Sequence, residues 1–281
     1  MVPELLTVSR GGEWSGVYQG RKILGILGGT EQHRMSLGFY HPNELHRCVF
    51  TITALIVCIY IKRLKGWGLL LLFLLNLATY LLTFSNTALV VGTFFFFMIL
   101  CDRKYKGMEV WVSKNSKVIF LVTVLFIILA CLLYSTDNSV LEMVNNLLTG
   151  RVRWAHEYSK AVKLSLWGRN IENVQVPYKG LDCGYVHVLL RYGVVVLVVY
   201  CLCVYRLLEK MHENGLYIEA FFILSLQLYF VMENFLLIAF QNYTWLYLGC
   251  ILFYGDCDGE GVKLEKLCTK SNIRANIKRG L

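Results

Sequence analysis

With 281 residues, 56% of them hydrophobic, 17% charged and only three prolines, the chain is too apolar for a soluble domain, which would be about a quarter charged. The formal net charge of +9 does not point to nucleic acid, because the cations are spread over short connectors between apolar runs, the distribution of a membrane protein. Of ten cysteines, seven (Cys48, Cys58, Cys101, Cys131, Cys201, Cys203 and Cys250) lie inside apolar runs as small hydrophobes, and no CxxC pair supports a zinc site or a disulfide framework.

In chain order, residues 1–42 form a polar, glycine-rich segment with no basic start leading into an apolar core, so no signal peptide is expected there. Its GILGGT lacks the Gly-Lys-Ser/Thr of a phosphate loop. Pro42-Asn43-Glu44 reads as a helix start ahead of the apolar run 48–61. That run is short for a bilayer, so it is expected to borrow Leu45 and to let Arg47 reach the interface. Further runs follow at Gly66–Thr83, 87–101, 118–134, 185–205, 216–232 and 236–254, giving about seven transmembrane helices in an all-α, polytopic membrane protein. The expected organisation is an outer polar segment (1–42), four spans (43–134), a large outer loop (135–184), three spans (185–254) and a basic tail (255–281).

Alternation of the spans collects Lys62, Arg63, Lys65, Arg103, Lys104, Lys114, Lys117, Arg206, Lys210 and the tail cations on one side, which makes that side the cytoplasm. The outer side then receives the long loop and the polar stretch RMSLGFYHPNELH (34–46). Export of some forty polar residues with no preceding span leads to the expectation of further spans upstream of Met1.

Chemistry is expected in the outer polar stretches. Residues 139–163 read as one helix, with Arg151, Trp154 and Tyr158 on one side and Leu141, Val144, Leu148, Val152 and Ala155 on another. Arg beside aromatic rings suits a sugar and a phosphate, since guanidinium grips phosphate in two prongs. The same pattern suits an interfacial amphipathic helix with snorkelling cations. Asp182 is a general base, a sugar ligand or, favoured on pattern, a cap for the helix that follows. Arg191, two turns deeper in the same run, requires a partner or an aqueous cleft. His41 is a second candidate base. His156 and His187 lack metal-ligand spacing with a carboxylate pair, so neither a metal nor another cofactor is expected. Glu233 and Asn242 need partners near the outer ends of the last two spans, whereas Asn76, Glu219 and Gln227 read as interhelical glue.

Four stretches in order, RMSLGFYHPNELH (34–46), LTFSNTALV (82–90), LLTGRVRW (147–154) and LDCGYVHVLLRYG (181–193), with a fainter ENFLLIAFQN (233–242), resemble the bacterial O-antigen polymerase/ligase superfamily, the Wzy-type polysaccharide polymerases. The resemblance covers most of 34–254. It departs at Ser85-Asn86-Thr87, where the family often has Ser-Arg-Thr, and at Asp182-Cys183, where it often has Asp-Asn. It implies a GT-C-like architecture in the bacterial cytoplasmic membrane and a metal-independent glycosyltransferase. Its substrate would be a polyprenyl-diphosphate-linked oligosaccharide, and a flippase and a chain-length regulator would be its pathway partners. Arg34 and Arg151 would meet the diphosphate, with Asp182 or His41 as base. Asn43, Arg153, Trp154, Tyr158, Tyr185, Arg191, Glu233 and Asn242 would contact substrate. A related ligase, a lipid-linked-sugar flippase and an inactive truncated remnant are the alternatives.

Overall fold

The computed structural model describes residues 15–18, 32–39, 41–105, 107–172, 174–176, 180–239 and 241–254, with only the backbone described for 15–18, 32–34 and 251–254. The basic tail 255–281 lies outside these residues. Strands β1 (Ser15–Tyr18) and β2 (Gln32–Met35) pair antiparallel with Gly16 opposite Arg34, a hairpin that the all-helical expectation did not contain. The remaining regular structure among the described residues is helical, and four helices are long and apolar enough to cross a membrane: α1 (Pro42–Tyr60), α2 (Gly66–Thr83), α3 (Asn86–Lys104) and α4 (Met108–Leu132). The chain is a helical, membrane-associated protein.

Local chemistry sets the ends of these helices. Pro42 occupies the first turn of α1, and His41 caps it, with Nδ1 accepting from the Asn43 amide at 3.1 Å. Phe84 takes a left-handed conformation (φ 47°) to end α2, and Arg103 and Lys104 lie at the negative end of α3. Exposed Leu70, Leu71, Leu74 and Leu75 on α2, and Val122, Leu125 and Phe126 on α4, form apolar faces suited to lipid. Asn76 donates to Thr53 Oγ1 at 2.8 Å, tying α2 to α1 as an interhelical polar contact.

The loop 135–184 does not hold one helix over 139–163. Its backbone turns left-handed at Thr149 (φ 56°) and Gly150 (φ 87°), dividing it into α5 (Ser139–Leu147), capped by Asn138, and α6 (Arg151–Ala161). The run 185–205 is divided as well, into α7 (Gly184–Arg191) and α8 (Gly193–Glu213), at Gly193 with φ 93°. The segment before α7 crosses this elbow. Val194 and Val195 donate to the carbonyls of Ser165 and Leu166, and Arg169 donates to that of Leu190. A Cβ on Gly193 would lie 2.3 Å from Leu166 O, and one on Gly168 2.1 Å from Arg191 O, so the backbones meet where only glycine fits. The break persists because the crossing segment re-satisfies amides and carbonyls that a continuous helix would have paired.

Helix α9 (Tyr217–Met232) is the axis of the core. Thirteen of its sixteen residues are buried, and α1, α3, α4, α7 and α8 pack around it. A helix apolar on all sides is one enclosed by neighbours. Gln227 is its internal tie, accepting from the Tyr185 and Tyr200 hydroxyls at 3.0 and 2.9 Å and donating to Thr244 at 3.1 Å. The run 236–254 becomes helical only at α10 (Thr244–Tyr254). Before it, Asn242 donates to Leu236 O and accepts from the Thr244 amide, which turns the chain into α10.

Candidate functional site

The starts of α1, α3 and α7, the start of α6 and the end of α9 meet at one end of the bundle, and Arg151 stands at their centre. It is the first residue of α6, following left-handed Gly150, so its side chain leaves the loop toward the helix ends. Its Nε donates to Asp182 Oδ2 at 3.3 Å, one terminal nitrogen to Thr87 Oγ1 at 3.1 Å and the other to Glu233 Oε1 at 3.3 Å. Glu233 Oε1 also accepts from the Asn43 amide nitrogen at 2.8 Å. Arg47 closes this side, with its guanidinium 4.2 Å above the Phe235 ring and 4.0 Å from Glu44.

Exposure grades the cluster. The side chains of Arg151, Glu233 and Asp182 are 11%, 17% and 40% exposed, so Asp182 is the partner nearest solvent. Burial pushes the Glu233 carboxyl above its ordinary range, and Arg151 opposes that shift while Asp182 adds to it. The guanidinium has five N–H groups, of which three are engaged, so both terminal nitrogens retain an N–H. An arriving anion can take those two and then replace Asp182, which is held by a single bond.

Four of the residues singled out in the sequence therefore come together: Asn43, Arg151, Asp182 and Glu233. Two contributors were not expected at the site. Thr87 belongs to the Ser-Asn-Thr stretch that opens α3, and Arg47 packs on Phe235 at 14% side-chain exposure instead of extending to the interface. The signal for Thr87 was its position in a quoted motif; for Arg47 it was a cation one turn into an apolar helix.

Other expectations need correcting. Asp182 does not cap α7: Cys183 is the capping residue, no side chain caps the helix, and Asp182 turns to Arg151. Tyr185 cannot stack on a sugar as it stands, because it is fully buried with its hydroxyl on Gln227. Asn242 is likewise buried and committed to its turn. Arg191 is not deep in a straight span. It ends α7, about 10 Å along the helix axis from Gly184, and pairs with exposed Glu172 at 2.7 Å. His41 serves as the α1 cap. Tyr158 is packed in the core, and Trp154 lies over Gly150, whose added Cβ would be 3.6 Å from its ring. Arg153 is exposed, its amide held by Asn145 Oδ1 at 2.9 Å. The Arg34 side chain falls outside the described residues; its backbone is in β2, which lies against α2.

Among the described residues no three His, Cys, Asp or Glu gather as a metal site. A cleft of about 570 Å³ opens beside α5 between Asp137, Glu142, Met143 and Asn146, a volume within the range of small-molecule sites, but Arg151 does not line it. No family model, curated protein or solved structure matches the chain.

Proposed function

We propose that the chain is a membrane glycosyltransferase of the polysaccharide-polymerase type, acting on polyprenyl-diphosphate-linked oligosaccharide at the outer face of the bacterial cytoplasmic membrane. The observation that carries this reading is the convergence on Arg151 of two carboxylates and a hydroxyl from three other segments, with the Asn43 amide on the Glu233 carboxylate, all at one end of the bundle. The basic connectors Lys62–Lys65 and Arg103–Lys104 lie at the other ends of these helices, which supports an outward-facing site.

In this reading Arg151 receives the diphosphate oxygens as the bond from the sugar anomeric carbon to the diphosphate breaks. The acceptor hydroxyl oxygen forms the new bond to that carbon, and its proton passes to a carboxylate, Asp182 or Glu233. A fixed guanidinium aimed at developing negative charge stabilises the transition state more than the ground state. Asp182 is the counter-ion the substrate displaces, because it is the more exposed and is held by one bond.

One observation favours a second reading. All three guanidinium nitrogens already have acceptors within the chain, which also suits a structural latch with no chemistry. Expression in a strain lacking its own polymerase separates the two. Arg151→Lys should still fold and insert while long glycan falls by about 10²–10³ in rate. Polymer made at the parental rate by that variant removes the diphosphate role.

A further inference from the structure

The segment between α6 and α7 exposes an apolar tip that the core does not use. Leu164, Leu166 and Trp167 are 49%, 62% and 76% exposed, and Tyr192 beside them is 38% exposed. This tip is held rigidly, since its backbone is bonded to the α7–α8 elbow through Val194, Val195 and Arg169, and Gly168 and Gly193 lie in backbone contact. Ordering three large apolar side chains against water, with none of them packed inward, is unfavourable unless something else covers them.

The position of the tip indicates what covers it. Helix α8 starts at Gly193 under the tip and runs 21 residues away from it, about 31 Å, apolar as far as Tyr205 and then carrying Arg206, Glu209 and Lys210 toward its far end. Its far end meets the first half of α4, where Lys117 bonds Glu209 at 2.6 Å. At that end, exposed Trp67 and Trp111 sit in the first turns of α2 and α4. Trp167 is thus at one boundary and Trp67 and Trp111 at the other, the two aromatic belts of a spanning protein. Exposed Lys160, Lys163 and Arg169 flank the tip, which suits acidic headgroups, while Arg191 beside them is paired with Glu172.

We infer that the Leu164–Trp167 tip is a membrane anchor, inserted into the interfacial region of a bilayer containing acidic lipid on the same side as the Arg151 cluster. Through the elbow and α7 it ties the segment carrying Asp182 to the membrane surface. This inference does not depend on the glycosyltransferase reading.

The test is tryptophan fluorescence of the full chain in vesicles of phosphatidylethanolamine and phosphatidylglycerol, comparing the parent with Trp167→Phe. Trp167 is so exposed that this substitution leaves the fold intact. The emission lost in the variant is assigned to Trp167. The expected result is that lipid brominated near the headgroup end of its acyl chains quenches this component, and aqueous iodide quenches it less. Quenching by iodide with no effect of brominated lipid would put the tip in water and overturn the inference. Protection from both quenchers would overturn it as well, because a second copy or another segment would then cover the tip. A companion variant, Leu166→Glu, should shift the remaining Trp167 emission to the red if the tip inserts and leave it unchanged if it does not.

Discussion

Removing Arg151 should cost the fold more through Glu233 than through Asp182. Truncating one partner of a buried ion pair costs about 3–5 kcal/mol, because the other charge is left without compensation. Glu233, at 17% exposure, falls in that regime, and its other hydrogen bond, from Asn43, is to a neutral amide. Asp182, at 40% exposure, is screened by solvent and contributes about 0–1 kcal/mol. Arg151→Ala is therefore expected to lose about 3 kcal/mol. Adding Glu233→Gln to that variant should restore about 1–2 kcal/mol, since a buried amide replaces a stranded carboxylate. Adding Asp182→Asn instead should restore almost nothing. Unfolding in mixed micelles, titrated with denaturing detergent and followed by pulse proteolysis, reads all three. The reasoning fails if Arg151→Ala unfolds with its parent, or if the Asp182 double variant recovers as much as the Glu233 one.

Further expectations follow from the same geometry. Burial raises the Glu233 carboxyl above its ordinary value of 4.5, so the folded state binds its proton more tightly than the unfolded chain. The Glu233 contribution is thus fully present below that ordinary value and is lost as pH rises through the folded value; the stability difference between parent and Glu233→Gln should change across that window and flatten outside it. Gly193→Ala should lose well over 1 kcal/mol through its left-handed backbone and the contact with Leu166 O, whereas Gly215→Ala, left-handed but in open space, should lose about 1 kcal/mol; the same detergent titration compares them. Tyr185→Phe should cost about 1 kcal/mol of stability and leave any transfer activity intact, because its hydroxyl serves Gln227 and not the Arg151 cluster. Cys183 is buried and should resist an impermeant thiol reagent in the folded protein, while an introduced Asp137→Cys should react from the Arg151 side of the membrane and an introduced Arg63→Cys from the other.

Much of the helical framework was legible in the sequence because hydropathy is a local property: a run such as Gly66–Thr83 announces its own length and apolarity. The site was legible only as separate nominations. Asn43, Arg151, Asp182 and Glu233 each stood out as a polar group near the end of an apolar run, yet Asn43 and Glu233 are 190 positions apart and no local pattern records that they touch. Thr87 and Arg47 were missed for the complementary reason, since a threonine at a helix start and an arginine near a membrane boundary already have ordinary roles.

Composition and periodicity alone determined that this chain is helical and membrane-associated, and which of its polar groups lie near helix ends. Only the tertiary structure decided that Arg151 is shared by Asp182, Glu233 and Thr87, that Tyr185 belongs to the core, and that the run 185–205 bends at Gly193. The physical reason is that hydropathy measures transfer from water to an apolar phase and carries no information about backbone handedness or about which distant helix supplies a hydrogen-bond partner. Those are properties of packing, fixed when α9 is enclosed and the helix ends around it are brought within reach of one guanidinium.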